Sequence, residues 1–159
     1  METVIKKKYP YLGTVTETEG FSVSSFAHSS PWKNANTSFY WMNFEYPFYH
    51  GHTDWEILIT LNDHMIQRIN GTETVLSTGT AYLLGPNDRH SFVFPERKKN
   101  QFQGLTFLAQ DTYMKRLLEL FSPVLYDRIR LDPQPRMFSL SPSFLEHLTN
   151  GCLEIQGTN

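Results

Sequence analysis

The stretch HGHTDWE at residues 50–56 contains His50, His52 and Glu56, and the stretch GTAYLLGPNDRH at residues 79–90 ends in a third histidine, His90. Side chains two apart on a strand share a face, so this spacing predicts that His50, His52 and Glu56 point the same way. Three imidazoles and one carboxylate form a mixed nitrogen and oxygen donor set, which suits a borderline divalent metal. The two stretches therefore predict one metal site on facing strands of a β-structure.

The residues around these stretches are typical of short strands separated by turns. Asn70-Gly71 is a strong hairpin signal, because a type I′ turn requires positive φ at both central residues. The apolar run from Trp55 to Leu61 is typical of a strand that is buried on both sides. The predicted strands are 38–48, ending at Pro47, then 55–61, 64–70, 72–76 and 80–84, and a pair formed by 91–94 and 102–108.

The periodicity changes after Leu108. Residues 109–121 predict an amphipathic helix that Asp111 can cap, and Ser141-Pro142 predicts the start of another helix. Strands followed by helices favour an all-β barrel or jelly roll that spans about residues 21–108 and carries a C-terminal helical appendage. We therefore divide the chain into a barrel with its N-terminal arm, residues 1–108, and a helical tail, residues 109–159.

The composition restricts the classes of function. The 159 residues carry a formal charge of −2 and include a single cysteine, Cys152. A free-standing nucleic-acid binder needs a basic excess, so we expect no direct contact between this chain and nucleic acid. One cysteine cannot form an internal disulfide, and no apolar run resembles a signal peptide or a membrane span. We expect a cytoplasmic protein without membrane contact.

The two stretches together resemble the motifs of the cupin superfamily. The first cupin motif has two histidines and a glutamate, and the second has a glycine, a proline at a tight turn and a third histidine. The matching residues here are His50, His52, Glu56, Gly79, Pro86 and His90. This resemblance implies a double-stranded β-helix in which the three histidines and the glutamate bind a metal ion.

Three positions depart from the cupin motifs. Asp63 and Asp88 stand where the motifs have glycines, and Phe94 stands where the second motif ends in asparagine. The departures affect turns and the surroundings of the site, and they leave the four ligand positions intact.

A narrower resemblance covers about residues 39–121 and is to the N-terminal domains of AraC-type transcription regulators, most closely the chitobiose-operon regulators. It rests on the histidine-rich strand, the Asn70-Gly71 hairpin and the helix that opens DTYMKRLL at Asp111. The resemblance implies that the barrel senses a sugar or sugar phosphate and that helices beyond it form a homodimer. It also implies that the DNA-binding modules lie outside this chain.

Aromatic residues extend the candidate ligand site beyond His50, His52, Glu56 and His90. Trp41 and Tyr82 offer flat faces on which a sugar ring could pack, although strand alternation allows only one of Tyr40 and Trp41 to face the cavity. Trp55 precedes Glu56 directly, and the same alternation sends it to the opposite face.

Two functions compete at this point. In the first, the chain is the effector-sensing domain of a regulator and carries out no chemistry. In the second, it is a small metal-dependent cupin enzyme, such as a dioxygenase, isomerase or epimerase. In either case, the predicted cofactor is one divalent transition metal, with zinc, iron, manganese and nickel as the candidates.

Overall fold

A computed structural model describes residues 5–9, 13–18, 21–24, 32–33, 36–42, 45–61, 64–86, 88–95, 103–132 and 136–157. The strands are β1 (Ile5–Tyr9), β2 (Gly13–Thr18), β3 (Phe21–Ser24), β4 (Trp32–Lys33), β5 (Thr37–Met42), β6 (Tyr46–His52), β7 (Trp55–Thr60), β8 (Met65–Ile69), β9 (Thr72–Leu76), β10 (Thr80–Leu84), β11 (His90–Val93), β12 (Gly104–Ala109) and β13 (Arg136–Ser139). The helices are α1 (Asp111–Glu119), α2 (Leu125–Leu131) and α3 (Pro142–Gly157).

The strands form two sheets. Within the described residues the first sheet has the order β1-β2-β3-β6-β11-β8-β9, and the second has the order β13-β10-β7-β12-β5-β4. From β5 to β12 the chain crosses to the other sheet at every step except the β8–β9 hairpin. This alternation between two largely antiparallel sheets is the jelly-roll arrangement, and it confirms the predicted fold class.

The core between the sheets follows from strand alternation. Along β5, Tyr40 and Met42 join this core, whereas Phe39 and Trp41 belong to a separate cluster. The inner core takes side chains from both sheets: Tyr40, Met42, Tyr46, Leu58, Met65, Ile69, Leu76, Tyr82, Leu84, Phe92, Phe94 and Leu108. The interior is thus lined largely by apolar side chains, and any polar group inside it needs a specific reason to be there.

The single strand predicted over residues 38–48 is wrong, because two strands in different sheets, β5 and β6, occupy this stretch. Pro47 does not end a strand and instead lies inside β6. The pairs His50–His90 and Tyr46–Phe92 leave three residues of β6 opposite one residue of β11. A proline has no N–H to donate to a β-ladder. The irregular pairing of β6 with β11 at this point does not require an N–H from Pro47.

The predicted pairing of residues 91–94 with residues 102–108 is also wrong. Strand β11 pairs with β6 and β8 in the first sheet, whereas β12 pairs with β5 and β7 in the second. Because β11 and β12 lie in different sheets, these two consecutive strands do not pair. The charged residues 96–100 between the two strands lie outside the described residues.

The Asn70-Gly71 hairpin is confirmed. Asn70 has a φ of 48° and Gly71 a φ of 88°, as a type I′ turn requires, and the turn joins β8 to β9. The turn sets the register of the hairpin and pairs Ile69 with Thr72.

The helical tail packs on the outside of the barrel. As predicted, α3 begins at Pro142, and the Phe144 N–H donates a hydrogen bond to Ser141 Oγ at 3.2 Å. The sequence did not predict α2 or β13, and β13 pairs with β10 at the edge of the second sheet. In the part of the chain that the structure describes, no helix combines the length and apolar character needed to cross a bilayer.

Two glycine substitutions test the turn at Gly71. Gly71→Ala should destabilise the protein by about 1–2 kcal/mol, because a Cβ is disfavoured at its positive φ. Gly151→Ala is the matched control, since Gly151 lies inside α3 with open space where an alanine Cβ would stand, and it should gain about 0.5–1 kcal/mol. Urea unfolding of the two variants measures both changes. Equal stability of Gly71→Ala and the wild type would contradict the turn assignment.

Candidate metal centre

The structure brings together the four residues predicted to form a metal site. One donor atom each from His50, His52, Glu56 and His90 lies within 4.8 Å of the other three. All four side chains are buried, and none is more than 7% exposed. The sequence prediction is therefore correct about which residues meet.

The geometric reason for their meeting differs from the one predicted. His50 and His52 lie on β6 in the first sheet, whereas Glu56 lies on β7 in the second. The chain bends at residues 53–54 between these strands, so Glu56 faces the histidines across the barrel and does not extend their row. His90 lies on β11 directly opposite His50 in the antiparallel ladder.

The Glu56 carboxylate lies at the centre of the group. Its Oε2 is 2.8 Å from His52 Nε2 and 3.1 Å from His90 Nε2. The His50 ring centroid is 4.0 Å from that of His90 and 5.0 Å from that of His52. Three imidazoles and one carboxylate oxygen thus surround one small space from different sides.

One backbone contact selects the tautomer of His50. His50 Nδ1 lies 3.3 Å from the carbonyl oxygen of Phe48, and in this contact the Nδ1–H donates to the carbonyl. The Nε2 atom then carries a lone pair and can act as a ligand. Metal-binding histidines commonly donate their other ring N–H to a backbone carbonyl in this way.

Burial and neighbouring charges set the protonation states of the group. Burial, followed by the nearby His90 and His52, holds the pKa of His50 well below its usual value, so this imidazole is neutral at pH 7. Burial acts to raise the pKa of Glu56, but the charges of His52 and His90 outweigh it and hold that pKa well below its usual range. A neutral imidazole and an ionised carboxylate are the forms that bind metal.

The four residues fit a single metal ion. His90 Nε2 and Glu56 Oε2 are close to each other but lack hydrogen-bond geometry, and His90 Nδ1 is buried without a hydrogen-bond partner among the described residues. Buried polar groups of this kind are costly unless another group satisfies them. A donor set of three nitrogens and one oxygen suits zinc, iron, manganese or nickel.

Asp88, one of the departures from the cupin motifs, organises the turn that leads to His90. Its Oδ2 accepts a hydrogen bond from the Gly85 N–H at 2.6 Å, and its Oδ1 accepts one from Asn70 Nδ2 at 2.9 Å. Asn70 Oδ1 in turn accepts the Arg89 N–H at 2.9 Å. The predicted turn at Pro86 is present, with the Asp88 N–H donating to the Gly85 carbonyl at 3.0 Å. The hairpin and the turn thus fix the backbone beside His90.

The tail contacts the strand that carries Glu56 through Trp55. The indole N–H of Trp55 donates to Asp111 Oδ1 at 2.8 Å, and the Tyr126 hydroxyl donates to the same oxygen at 2.6 Å. Burial and the bond to Asp111 raise the pKa of Tyr126 to about 12, so the hydroxyl remains a donor. Asp111 therefore does not cap α1 as predicted, because its carboxylate binds two side chains from other elements.

A second contact joins β13 to the turn before His90. Arg136 Nη1 lies 3.4 Å from Asp88 Oδ2, and the Arg136 guanidinium lies 5.5 Å from the centre of the Trp55 ring. Sequence reasoning missed this contact, since Arg136 is far from both partners along the chain and nothing local marks it.

The aromatic residues predicted to face a ligand divide between the two sides of the sheet. Trp41 faces outwards and packs with Phe39 and Leu105, so the structure corrects its assignment as a ligand-binding residue. Tyr40 takes the inward position, and burial, followed by the charge of Glu56, holds its pKa well above the usual value. Tyr82 faces inwards as predicted, two residues from Leu84, the cross-strand partner of Glu56.

Two solved structures are weakly similar to this chain. No protein family matches the sequence, and no curated protein matches it at a significant level. The plu4264 protein of Photorhabdus luminescens aligns over 57% of this chain and 78% of its own, with 16% identity and a TM-score of 0.39. Streptomyces albus HEPD, solved with 2-hydroxyethylphosphonate and Fe(II), aligns over 83% of this chain and 31% of its own, with 15% identity and a TM-score of 0.37. At these TM-scores neither structure informs the chemistry of this chain.

Removing one ligand tests the metal centre. Protein purified without a histidine tag or chelator should retain close to one equivalent of a transition metal, and His52→Ala should retain less than about a tenth. His147→Ala is the matched control, because His147 is exposed on α3 and far from the cluster in sequence. Elemental analysis measures the metal, and circular dichroism checks that the barrel is still folded. Equal metal contents in His52→Ala and wild type would rule out the site.

Proposed function

We propose that this chain is a small metal-dependent enzyme of the oxygenase, isomerase or epimerase type, acting on a small molecule inside the barrel. The observation that supports the proposal is the convergence of four buried donor atoms, three nitrogens and one carboxylate oxygen, within 4.8 Å. A barrel core has no structural need for such a group, because apolar side chains of similar size would be cheaper to bury.

The four side chains have separate roles in this proposal. His50, His52 and His90 provide three nitrogen donors, and Glu56 provides the carboxylate oxygen of the donor set. When bound, a metal supplies a Lewis acid with positions left open for atoms of a small molecule. The apolar residues around the cluster, such as Leu58 and Leu84, exclude water and strengthen electrostatic interactions at the site.

Turnover measurements test the enzymatic proposal. The protein, loaded separately with Fe(II), Mn(II), Ni(II) or Zn(II), is incubated in air with mixtures of hydroxy acids, keto acids and sugars, and proton NMR follows each compound. We expect conversion of at least one compound with one metal, and a loss of at least about 100-fold in His52→Ala. The His147→Ala variant should retain the wild-type rate. Saturable binding without conversion would reject the enzyme and favour a sensor.

A sensing function is the second candidate, and the contacts between the tail and the barrel favour it. Trp55, the residue before Glu56, donates a hydrogen bond to Asp111 of the tail, and the Tyr126 hydroxyl donates to the same carboxylate oxygen. Arg136 contacts Asp88, two residues before His90. A change at the cluster would thus reach the tail through two short paths, as a regulatory domain requires. In this second proposal the effector is a sugar or sugar phosphate, in line with the resemblance to chitobiose-operon regulators.

We also propose that the chain forms a homodimer through its tail. On α3, Leu145 and Leu148 pack on the barrel, while Phe144 is 54% and Leu153 50% exposed. Exposed apolar side chains on a helix that already covers its own barrel are typical of a protein interface.

Light scattering tests the dimer. At micromolar concentration we expect a mass near twice that of the 18.5 kDa chain. The double substitution of Phe144→Glu and Leu153→Glu should shift the mass to that of the monomer, because charges are poorly tolerated in the apolar centre of an interface. Ser143→Glu is the control, since Ser143 is exposed and polar at the start of the same helix. A wild-type mass of one chain that does not change on dilution would contradict the dimer.

A further inference from the structure

Gln67 is a polar side chain in the middle of the barrel. It lies on β8 between Met65 and Ile69, both in the inner core, and strand alternation turns all three to the same side. Gln67 is 0% exposed, and neither its Oε1 nor its Nε2 has a hydrogen-bond partner within the described ranges. Both halves of its amide are thus buried and have no partner in the part of the chain that the structure describes.

Gln67 lies one inward-facing position along the barrel from the metal ligand His90. On the paired strand β11, Ile69 lies opposite His90 and Gln67 lies opposite Phe92. Diagonal neighbours on one face of an antiparallel pair are about 7–8 Å apart, which places Gln67 that far from His90.

The opposite sheet also carries hydroxyl groups one inward-facing position away from a metal ligand. Leu108 is opposite Glu56, and the cross-strand partners Tyr40 and Thr106 lie two residues further along their strands. The Thr106 hydroxyl donates to Met42 Sδ at 3.1 Å. Each sheet thus places polar groups one inward-facing position away from the metal ligands that it carries.

A buried amide needs a partner that offers both a donor and an acceptor. An unpaired amide is costly in an apolar core, and methionine would fill almost the same volume without this cost. The strand does not require glutamine either, since the neighbouring inward positions of β8 are Met65 and Ile69. The packing of β8 therefore gives no reason for an amide at this position.

We infer that Gln67 is a specificity-determining residue that binds the far end of a small molecule whose near end, a carboxylate or similar oxygen group, lies at the metal centre. The inference rests on the proposed metal-dependent function. The far end carries a primary amide or an equivalent paired donor and acceptor, which binds the Gln67 Oε1 and Nε2 reciprocally. A small carboxylate with a second, amide-like group a few bonds away belongs to this class.

Two probes with the same number of heavy atoms test the inference. Succinamate and 4-methylpentanoate both carry a carboxylate, but only succinamate has an amide at the other end. Binding to the Co(II)-loaded protein is followed through the visible spectrum of the cobalt. We expect wild type to bind succinamate at least about tenfold more tightly, because the apolar probe leaves the Gln67 amide unpaired.

Two glutamine substitutions complete the test. Gln67→Met should reduce the preference for succinamate to less than about threefold, and Gln110→Met should keep it. Gln110 is a suitable control because it lies before α1, outside the barrel, and its side chain makes no capping bond. Retention of the preference in Gln67→Met would overturn the inference.

The melting temperature of the metal-free protein separates ligand binding from a purely structural role. If the Gln67 amide is unpaired in the free protein, Gln67→Met should raise the melting temperature. A lower melting temperature would show that the amide supports the fold, and would overturn the inference. A protein that takes up no cobalt overturns the metal centre and this inference together. If the protein binds cobalt but binds succinamate and 4-methylpentanoate with equal affinity, the inference about Gln67 is overturned and the metal centre stands.

Discussion

The ionised carboxylate of Glu56 inside the barrel is the constraint on which the rest of the site depends. A buried charge is tolerated only when facing groups compensate for it, and here His52 and His90 face it at 2.8 and 3.1 Å from the other sheet. The tight bend after β6 and the pairing of His90 with His50 must both be maintained to keep this arrangement. Much of the local topology therefore serves to bring one acid and three bases together.

Features that depend on neighbouring residues were predictable from the sequence. The Asn70-Gly71 turn, the strand from Trp55 and the start of α3 at Pro142 each follow from a few adjacent residues with known conformational preferences. The four ligands were also predictable, although they lie in two sheets. Their spacing matched a known pair of motifs, and that match does not depend on knowing which sheet each strand joins.

Features that depend on distant contacts were not predictable. The alternation of Tyr40 and Trp41 is clear from the sequence, but which of them faces inwards is decided by the pairing of β5 with β12. Helix α2 is short, and Tyr126 holds it through Asp111 and the edge of the Trp55 ring. The role of Asp88 likewise needs Asn70 and Arg136, which are brought to it by folding.

The distribution of the donors over both sheets has a consequence for local stability. His50, His52 and His90 belong to the first sheet and Glu56 to the second, so an ion bound by all four would cross-link the two sheets of the barrel. Local separation of the sheets would then break the site, and binding of the ion would oppose this opening by mass action. The gain would be confined to the neighbourhood of β6, β7 and β11, the strands that carry the donors.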